Sequence, residues 1–368
     1  MKLNIWGNIF GSSGFAIHTR SLFNALTDEG VDVRLQTQLP ENWVRLVNDQ
    51  ELVGINKPMS RDRITIFIVH PQYLPLAHND SDNVIPFVVW EGDSIPQYWR
   101  KHLEDERIKM IFVPSNHVTD AILNYYSKKE VDKYNYMFDK IAIIPHGVNA
   151  ELFPANKSES DRFVFVANKG WAKGNEDRGG IQHLLKAYHE EFTADDKVDL
   201  NVKINIAYCP PGWNFDQELK NIGIFRNEKS PLLRVSLDNA EYKEMHKFYT
   251  GDVFVSVAEA EGFNLPVLEA MSSGMPAIVS SFGGQTDFIN ENTSWLIDGK
   301  MHEVKNDIIY EGISWQKPNI DELKKTMRWC FTHKEECKLK GLEAQKVSKQ
   351  FTWKNTALKV VEEIKKII

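Results

Sequence analysis

The stretch Glu259-Ala-Glu-Gly-Phe-Asn-Leu-Pro-Val-Leu-Glu-Ala-Met271 decides how the chain is read. The run before it, Asp252-Val-Phe-Val-Ser-Val257, has the short apolar character of a buried strand. A helical pattern then starts at Leu265, so the segment is a strand, a turn and a helix. Gly262 supplies the backbone freedom the turn needs, because it has no Cβ to restrict φ and ψ. Asn264 is placed to cap the helix, and Pro266 falls in the first helical turn, where its missing N–H costs nothing. The backbone N–H groups at a helix start carry a partial charge of about +0.5 and suit a phosphate. Two carboxylates flank that point. Glu261 sits in the turn, and Glu269 sits on the helix with a side chain that leans back toward the helix start. A carboxylate so placed accepts two hydrogen bonds from a vicinal diol such as a ribose. A capped core helix explains a capping pattern alone. The complete segment, with the Gly283-Gly284 turn after it, favours a ligand site.

With 368 residues the chain is long for one core and comfortable for two domains. Its twenty Phe, ten Trp and eleven Tyr suffice for well-filled cores. A net charge of −7 argues against general nucleic-acid binding, which rests on neutralising phosphates. No stretch approaches the roughly 20 apolar residues of a membrane span, and the start, Met1-Lys-Leu-Asn-Ile-Trp6, reads as a strand rather than a signal peptide. Cys209, Cys330 and Cys337 lack metal-ligand spacing and read as free thiols of a reducing, cytoplasmic compartment.

Short apolar runs alternate with longer amphipathic ones, the pattern of parallel sheets with crossover helices. In the first half, strands are expected at 3–6, 31–35, 64–69, 85–90, 110–113 and 141–144, and helices at 16–28, 96–105 and 116–126. In the second half, strands are expected at 163–167, 202–208, 232–236, 253–257, 277–280 and 294–296. Helices are expected there at 180–191, 216–221, 241–249, 265–273, 320–331 and 334–349, and a last one lies within 352–368. Ile144-Pro-His-Gly-Val-Asn149 and the polar 156–161 mark the break between halves. The expected organisation is a first domain over 1–150, a second over 151–350 and a closing helix over 351–368. Each half is a doubly wound α/β unit, and such sheets bind ligands beyond the carboxyl ends of their strands.

The run from Glu261 to Ala277, followed by Ser280-Ser-Phe-Gly-Gly-Gln-Thr-Asp-Phe-Ile289, resembles the donor-site signature of family-4 retaining glycosyltransferases. The match rests on two glutamates separated by seven residues, the intervening Gly-Phe-x-Leu-Pro-x-Leu, and the Gly-Gly turn. Gly14-Phe-Ala-Ile-His-Thr-Arg-Ser-Leu22, Trp90-Glu-Gly-Asp-Ser-Ile-Pro96, Val113-Pro-Ser-Asn116, Ile144–Asn149 and Phe351-Thr-Trp353 are similar to the same family. The resemblance implies an α/β fold of the GT-B type, two Rossmann-like doubly wound domains facing a cleft, with the last helix crossing back to the first domain.

It also implies a nucleotide-diphosphate sugar, UDP- or GDP-linked, held mainly by the second domain. Glu269 would hold the ribose, and Glu261 would lie near the donor sugar or its phosphate linkage. The backbone around Gly262, Phe263, Asn264 and Leu265 would face the diphosphate or sugar hydroxyls. The family carries a basic pair after the first strand of the second domain, and the corresponding loop is Asn168-Lys-Gly-Trp-Ala-Lys-Gly-Asn-Glu-Asp-Arg-Gly-Gly180. Arg178 fits the second position, while Lys169 and Lys173 compete for the first. Lys169, Arg178 and Glu261 are the implied catalytic set.

In the first domain, Gly11-Ser-Ser-Gly14-Phe15 opens a helix with two glycines that let backbone approach an anion; Gly14 and Phe15 would touch the diphosphate. His18 and Arg20 lie on that helix. Relatives carry a histidine where this chain has Glu91 and Asp93; either carboxylate would orient an acceptor hydroxyl or cap the helix at Pro96. His146 supports the linker. Asp80-Ser-Asp82 is a DxD in a polar loop rather than at a strand end, so no metal or other cofactor is expected: basic residues and helix dipoles stabilise the leaving group instead.

The expected reaction is transfer of a glycosyl unit to a hydroxyl acceptor with retained configuration. Glycan, lipid-linked and protein acceptors remain open, and a lipid-linked one would bring a peripheral membrane contact. A nicotinamide-dependent oxidoreductase using the Gly11–Gly14 loop, with Asp32 as ribose ligand, is one alternative. A non-catalytic sugar-nucleotide-binding subunit is another.

Overall fold

The computed structural model describes every residue except 12, 38–47, 127–130, 156–159, 207–208, 239 and 306, and only the backbone of residue 131. Two compact units divide the chain. Met1–Gly147, Glu303–Ser314 and Phe351–Ile368 form the first; Val148–His302 and Trp315–Gln350 form the second.

The first unit contains β1 (Lys2–Gly7), β2 (Asp32–Gln36), β3 (Ile64–Ile68), β4 (Val84–Pro86), β5 (Ile111–Val113) and β6 (Ile141–Ile143). Four of them form a parallel sheet in the order β2-β1-β3-β4, with Leu3 opposite both Val33 and Ile64. A parallel bridge from Phe87 to Phe112 carries the pairing on to β5 and β6. Both faces are covered, so β3 is buried along its whole length, as the continuous run Ile-Thr-Ile-Phe-Ile requires. The helices are α1 (Gly14–Asp28), α2 (Asp49–Asn56), α3 (Leu74–Asp80), α4 (Arg100–Leu103), α5 (Asn116–Asn124) and α6 (Val131–Lys140). The last helix of the chain, Trp353–Lys365, packs on α1. A core of Trp90, Trp99, Phe67, Ile111 and Tyr126 takes in Ile313 from the returning segment 303–314.

The second unit contains β7 (Phe163–Asn168), β8 (Val198–Lys203), β9 (Leu232–Ser236), β10 (Val253–Ser256), β11 (Ala277–Ser280) and β12 (Ser294–Ile297), in the order β12-β11-β10-β7-β8-β9. The pairs are parallel. A two-stranded ribbon, β13 (Gly299–Glu303) with β14 (Ser314–Pro318), follows. The helices are α7 (Ile181–Glu191), α8 (Phe215–Asn221), α9 (Leu265–Ser272), α10 (Ile320–Thr332) and α11 (Lys334–Ser348), before α12 (Trp353–Lys365) of the first unit. Phe165, Leu184, Leu200, Val255 and Met327 share one core.

Four expectations are corrected. The strand expected at 202–208 lies at 198–203, while 207–208 fall outside the described residues. Val-Asp-Leu-Asn-Val-Lys alternates because only its even positions enter the core; Asp199, Asn201 and Lys203 occupy the other face. The helix expected at 241–249 is a 3-10 helix, Tyr242–Phe248. The strand expected through Trp90 ends at Pro86. Finally, α2, α3, α6 and the ribbon went unanticipated, and of the polar connector 156–161 only 160–161 are described. Among the described residues no helix is long and apolar enough to cross a membrane, and all three cysteines are free.

Candidate active site

A doubly wound sheet binds ligands where its strand order reverses, beyond the carboxyl ends of its strands. In the second unit that point lies between β7 and β10. Their following loops, 169–180 and 257–264, therefore leave the sheet side by side. They carry Lys169, Lys173 and Arg178 on one, and Glu261, Gly262, Phe263 and Asn264 on the other.

The two loops are joined by charge. Lys169 Nζ donates to Glu261 Oε1 at 2.7 Å and to Asn264 Oδ1 at 3.0 Å. Arg178 Nη1 stands 3.4 Å from Glu261 Oε2 and donates to the Ala260 carbonyl at 2.6 Å. Burial alone would raise the Glu261 carboxyl. Lys169 and Arg178 outweigh it and hold the group below its ordinary value. Two cations against one carboxylate leave the spot positive, as a diphosphate requires.

Asn264 occupies the N-cap position of α9 but does not cap it with its side chain. The expectation of a side-chain cap is corrected: its backbone is left-handed, with φ 75°, and the side chain points to the basic loop instead. Oδ1 accepts from Lys169, and Nδ2 donates to Ser256 Oγ at 3.0 Å. Left-handed backbone costs a non-glycine residue about 1–2 kcal/mol, and these bonds hold it there. The α9 start, with Pro266 in its first turn, is thus left without a side-chain cap beside Lys169. Leu265 is buried, and Phe263 packs on Phe288 with ring centroids 5.0 Å apart. A Cβ on Gly284 would overlap the Gly262 carbonyl, so the second glycine turn is required by close packing against the first.

Asp177 shapes the basic loop. Its Oδ2 accepts the N–H groups of Ala172 at 2.7 Å and Lys173 at 3.1 Å, and Oδ1 accepts that of Gly179 at 2.8 Å. Of the two lysines weighed for the basic pair, Lys169 meets Glu261. Lys173 has an exposed side chain, and its backbone N–H belongs to the Asp177 scaffold. Gly180 opens α7 at φ 78°, with no room for a Cβ against the Val257 carbonyl. Behind the turn, Glu259 bridges two histidines, His183 Nε2 and His302 Nε2, each at 2.6 Å. Burial pushes the Glu259 carboxyl up, and the two histidines more than offset it.

Glu269 is buried on α9. Tyr242 Oη donates to its Oε1 at 2.8 Å, and Tyr249 Oη donates to Oε2. Tyr249 also accepts from Asn168 Nδ2 at 3.1 Å, which ties Glu269 to the end of β7. Burial raises the Glu269 carboxyl, and the two phenols only partly offset this.

Gly14, Phe15, Glu91 and Asp93 belong to the first unit. Gly14 begins α1, where Ser13 Oγ caps the Ala16 N–H at 3.2 Å; the Phe15 ring lies 5.8 Å from that of His70. Asp93 Oδ1 accepts the Ser314 N–H at 2.7 Å, and the 3-10 helix after Pro96 has no side-chain cap, so Asp93 holds the returning segment rather than capping. Glu91 Oε2 accepts from Tyr310 Oη at 3.3 Å, and the Tyr310 ring stacks on Trp90. His18 and His146 are buried against each other with ring centroids 4.1 Å apart. Asp80 accepts from Gln36, and Asp82 pairs with Arg61, so both carboxylates of the DxD have structural partners. Asp32, the ribose ligand of the oxidoreductase alternative, opens β2 at its amino end and pairs with Lys57 and Arg63.

Sequence reading missed Asp177, Tyr242, Tyr249 and the Glu259 cluster. Asp177 had a local signal, standing directly before Arg178-Gly-Gly. The tyrosines and His302 had none, since their partners lie 20 to 43 positions away.

Residues 235–338 match the family model described as glycosyl transferases group 1. The sulfoquinovosyl transferase SQD2 of Arabidopsis thaliana is 28% identical over 116 residues, 32% of this chain; the match spans only 20% of that relative's length. Sucrose-phosphate synthase from Thermosynechococcus elongatus superposes with a TM-score of 0.70 at 14% identity, covering 100% of this chain and 99% of that one. Anabaena HepE, solved with UDP-glucose, gives 0.65 at 11% identity over 100% of both chains. The chain has the GT-B fold, and its residues 235–338 match a group 1 glycosyltransferase domain.

Proposed function

We propose that this chain is a metal-independent, retaining glycosyltransferase that moves a hexosyl unit from a UDP- or GDP-linked sugar to a hydroxyl acceptor. The observation that carries the reading is the meeting of Lys169 and Arg178 on Glu261, beside a helix start without a side-chain cap. Lys169, Arg178 and the α9 N–H groups bind the diphosphate and stabilise the charge that grows on it as it leaves. Glu261 orients both cations and lies at the sugar side. Glu269 takes the ribose hydroxyls. HepE, with UDP-glucose in its structure, supports a nucleotide sugar as donor.

In the reaction, the acceptor oxygen attacks the anomeric carbon from the face the leaving group departs. The bond from that carbon to the phosphate oxygen breaks, its electron pair stays on the diphosphate, and a phosphate oxygen takes the acceptor proton. The protein supplies position and charge. Glycan, lipid-linked and protein hydroxyls are the acceptor classes.

A panel of UDP-, GDP- and ADP-sugars, read by thermal shift and by nucleoside diphosphate release with and without added acceptors, tests this. A donor at 100 times its Kd should stabilise the chain by about 2.7 kcal/mol. Release should persist in a chelator, and the product anomer should match the donor by NMR. No shift and no release with any donor would overturn the reading, and acceptor-independent binding without release would favour the non-catalytic subunit.

A further inference from the structure

The two tyrosines that donate to Glu269 are not equally buried. Tyr249 is fully buried, donates to Oε2 and is itself fixed by Asn168 at 3.1 Å. Tyr242 differs. It is only partly buried, begins the short 3-10 helix 242–248, and leans edge-on against Phe153 with centroids 5.6 Å apart. Its hydroxyl reaches Glu269 Oε1 at 2.8 Å. A carboxylate buried to this degree needs donors on both oxygens, and a vicinal diol that reaches Glu269 in place of Tyr242 brings the same donor group that Tyr242 supplies.

We propose that the Tyr242 hydroxyl holds the place of a ribose hydroxyl on Glu269, making Tyr242 a gate that only a hydroxyl-bearing ribose displaces. The inference rests on the reading of Glu269 as the ribose ligand and goes beyond it. A nucleotide with both ribose hydroxyls exchanges one O–H···carboxylate bond for its own. A dideoxyribose has nothing to offer Glu269 and leaves the tyrosine in place. Tyr242 thereby competes with ribonucleotide donors alone, while Tyr249 keeps the carboxylate oriented in both states.

The test is titration calorimetry on the full chain with whichever of UDP, GDP and ADP binds the wild type best, and with its 2′,3′-dideoxy counterpart. Wild type, Tyr242→Phe, Tyr242→Ala and Glu269→Gln are compared, with thermal unfolding of each apo variant as the control for folding. Removing a competing hydrogen bond to a charged group should tighten ribonucleotide binding to Tyr242→Phe by about tenfold. Dideoxynucleotide binding should stay unchanged, and Tyr242→Ala should show the same asymmetry. Unchanged or weaker ribonucleotide binding in both tyrosine variants, or an equal gain for both nucleotides, overturns the gate. Glu269→Gln separates the two levels. If it abolishes the preference for ribose while Tyr242→Phe shows no gain, only the gate falls; if it keeps that preference, the ribose reading of Glu269 falls and the gate with it.

Discussion

Lys169 follows β7 and Glu261 follows β10, ninety-two positions later, yet ammonium and carboxylate meet at 2.7 Å. Neither side chain has much access to water, so removing one leaves the other charged and poorly solvated. Lys169→Met should cost about 3 kcal/mol of stability, read by urea titration. It should also lower kcat/KM for the sugar nucleotide at least tenfold, about 1.4 kcal/mol. Adding Glu261→Gln should recover part of the stability and none of the activity, a coupling that a double-mutant cycle reads directly. Full activity in Lys169→Met would remove that lysine from the diphosphate site.

Asp177 acts at one remove. It touches Ala172, Lys173 and Gly179 only through their backbone N–H groups, and so fixes the loop that ends in Arg178. Asp177→Ala leaves three N–H groups to find water and should cost about 1–3 kcal/mol. Donor kcat/KM should fall about tenfold with Arg178 intact. Asp177→Asn, which keeps one acceptor oxygen, should recover a measurable share of both. Arg178→Ala should fall at least as far in kcat/KM, about tenfold.

What could be read before the fold was known follows from the range of each interaction. Strand 277–280 carries its own signal, because both faces are covered and every one of its residues is buried. β8 misled because one of its faces is polar, and the apolar residues beyond it looked the better strand. The Glu261 and Glu269 spacing, the Gly-Gly turn and Arg178 lie in two short stretches and were visible. The choice between Lys169 and Lys173 was not, since it depends on which way a thirteen-residue loop folds around Asp177. Nor was the membership of 303–314 in the first unit, which Asp93, Trp90 and Ile313 create by contacts more than 200 positions apart.

Gly180 and Gly284 are two glycines that the site's packing requires. At Gly180 the φ of 78° and the Val257 carbonyl both exclude a side chain. Gly180→Ala should therefore destabilise the second unit by about 3 kcal/mol. Gly284→Ala should displace the Gly262 carbonyl and weaken donor binding as well, and a normal Kd with a normal unfolding midpoint would contradict the assignment.

His18 and His146 set a pH dependence in the first unit. Burial holds the His146 imidazole down to about 3, and burial together with His146 holds His18 well below 6.5. Neither ring nitrogen of His18 has a hydrogen-bond partner among the described residues, so the neutral form is the one that packs. Both folded values are depressed, so the unfolded chain binds more protons throughout the window between them and 6.5. The stability these groups contribute is complete above 6.5 and is lost as pH falls toward the folded values. A histidine whose folded value lies below the working pH gives a slope of about 1.4 kcal/mol per pH unit once pH is below 6.5, so His146 should account for about 2 kcal/mol between pH 7.5 and 5, with His18 adding in the same direction. Urea unfolding of the wild type and of His18→Leu with His146→Leu, compared over that range, isolates the pair from the other histidines and from the carboxylates that titrate lower. Parallel pH profiles for the two proteins would show that these imidazoles accept protons in the folded state.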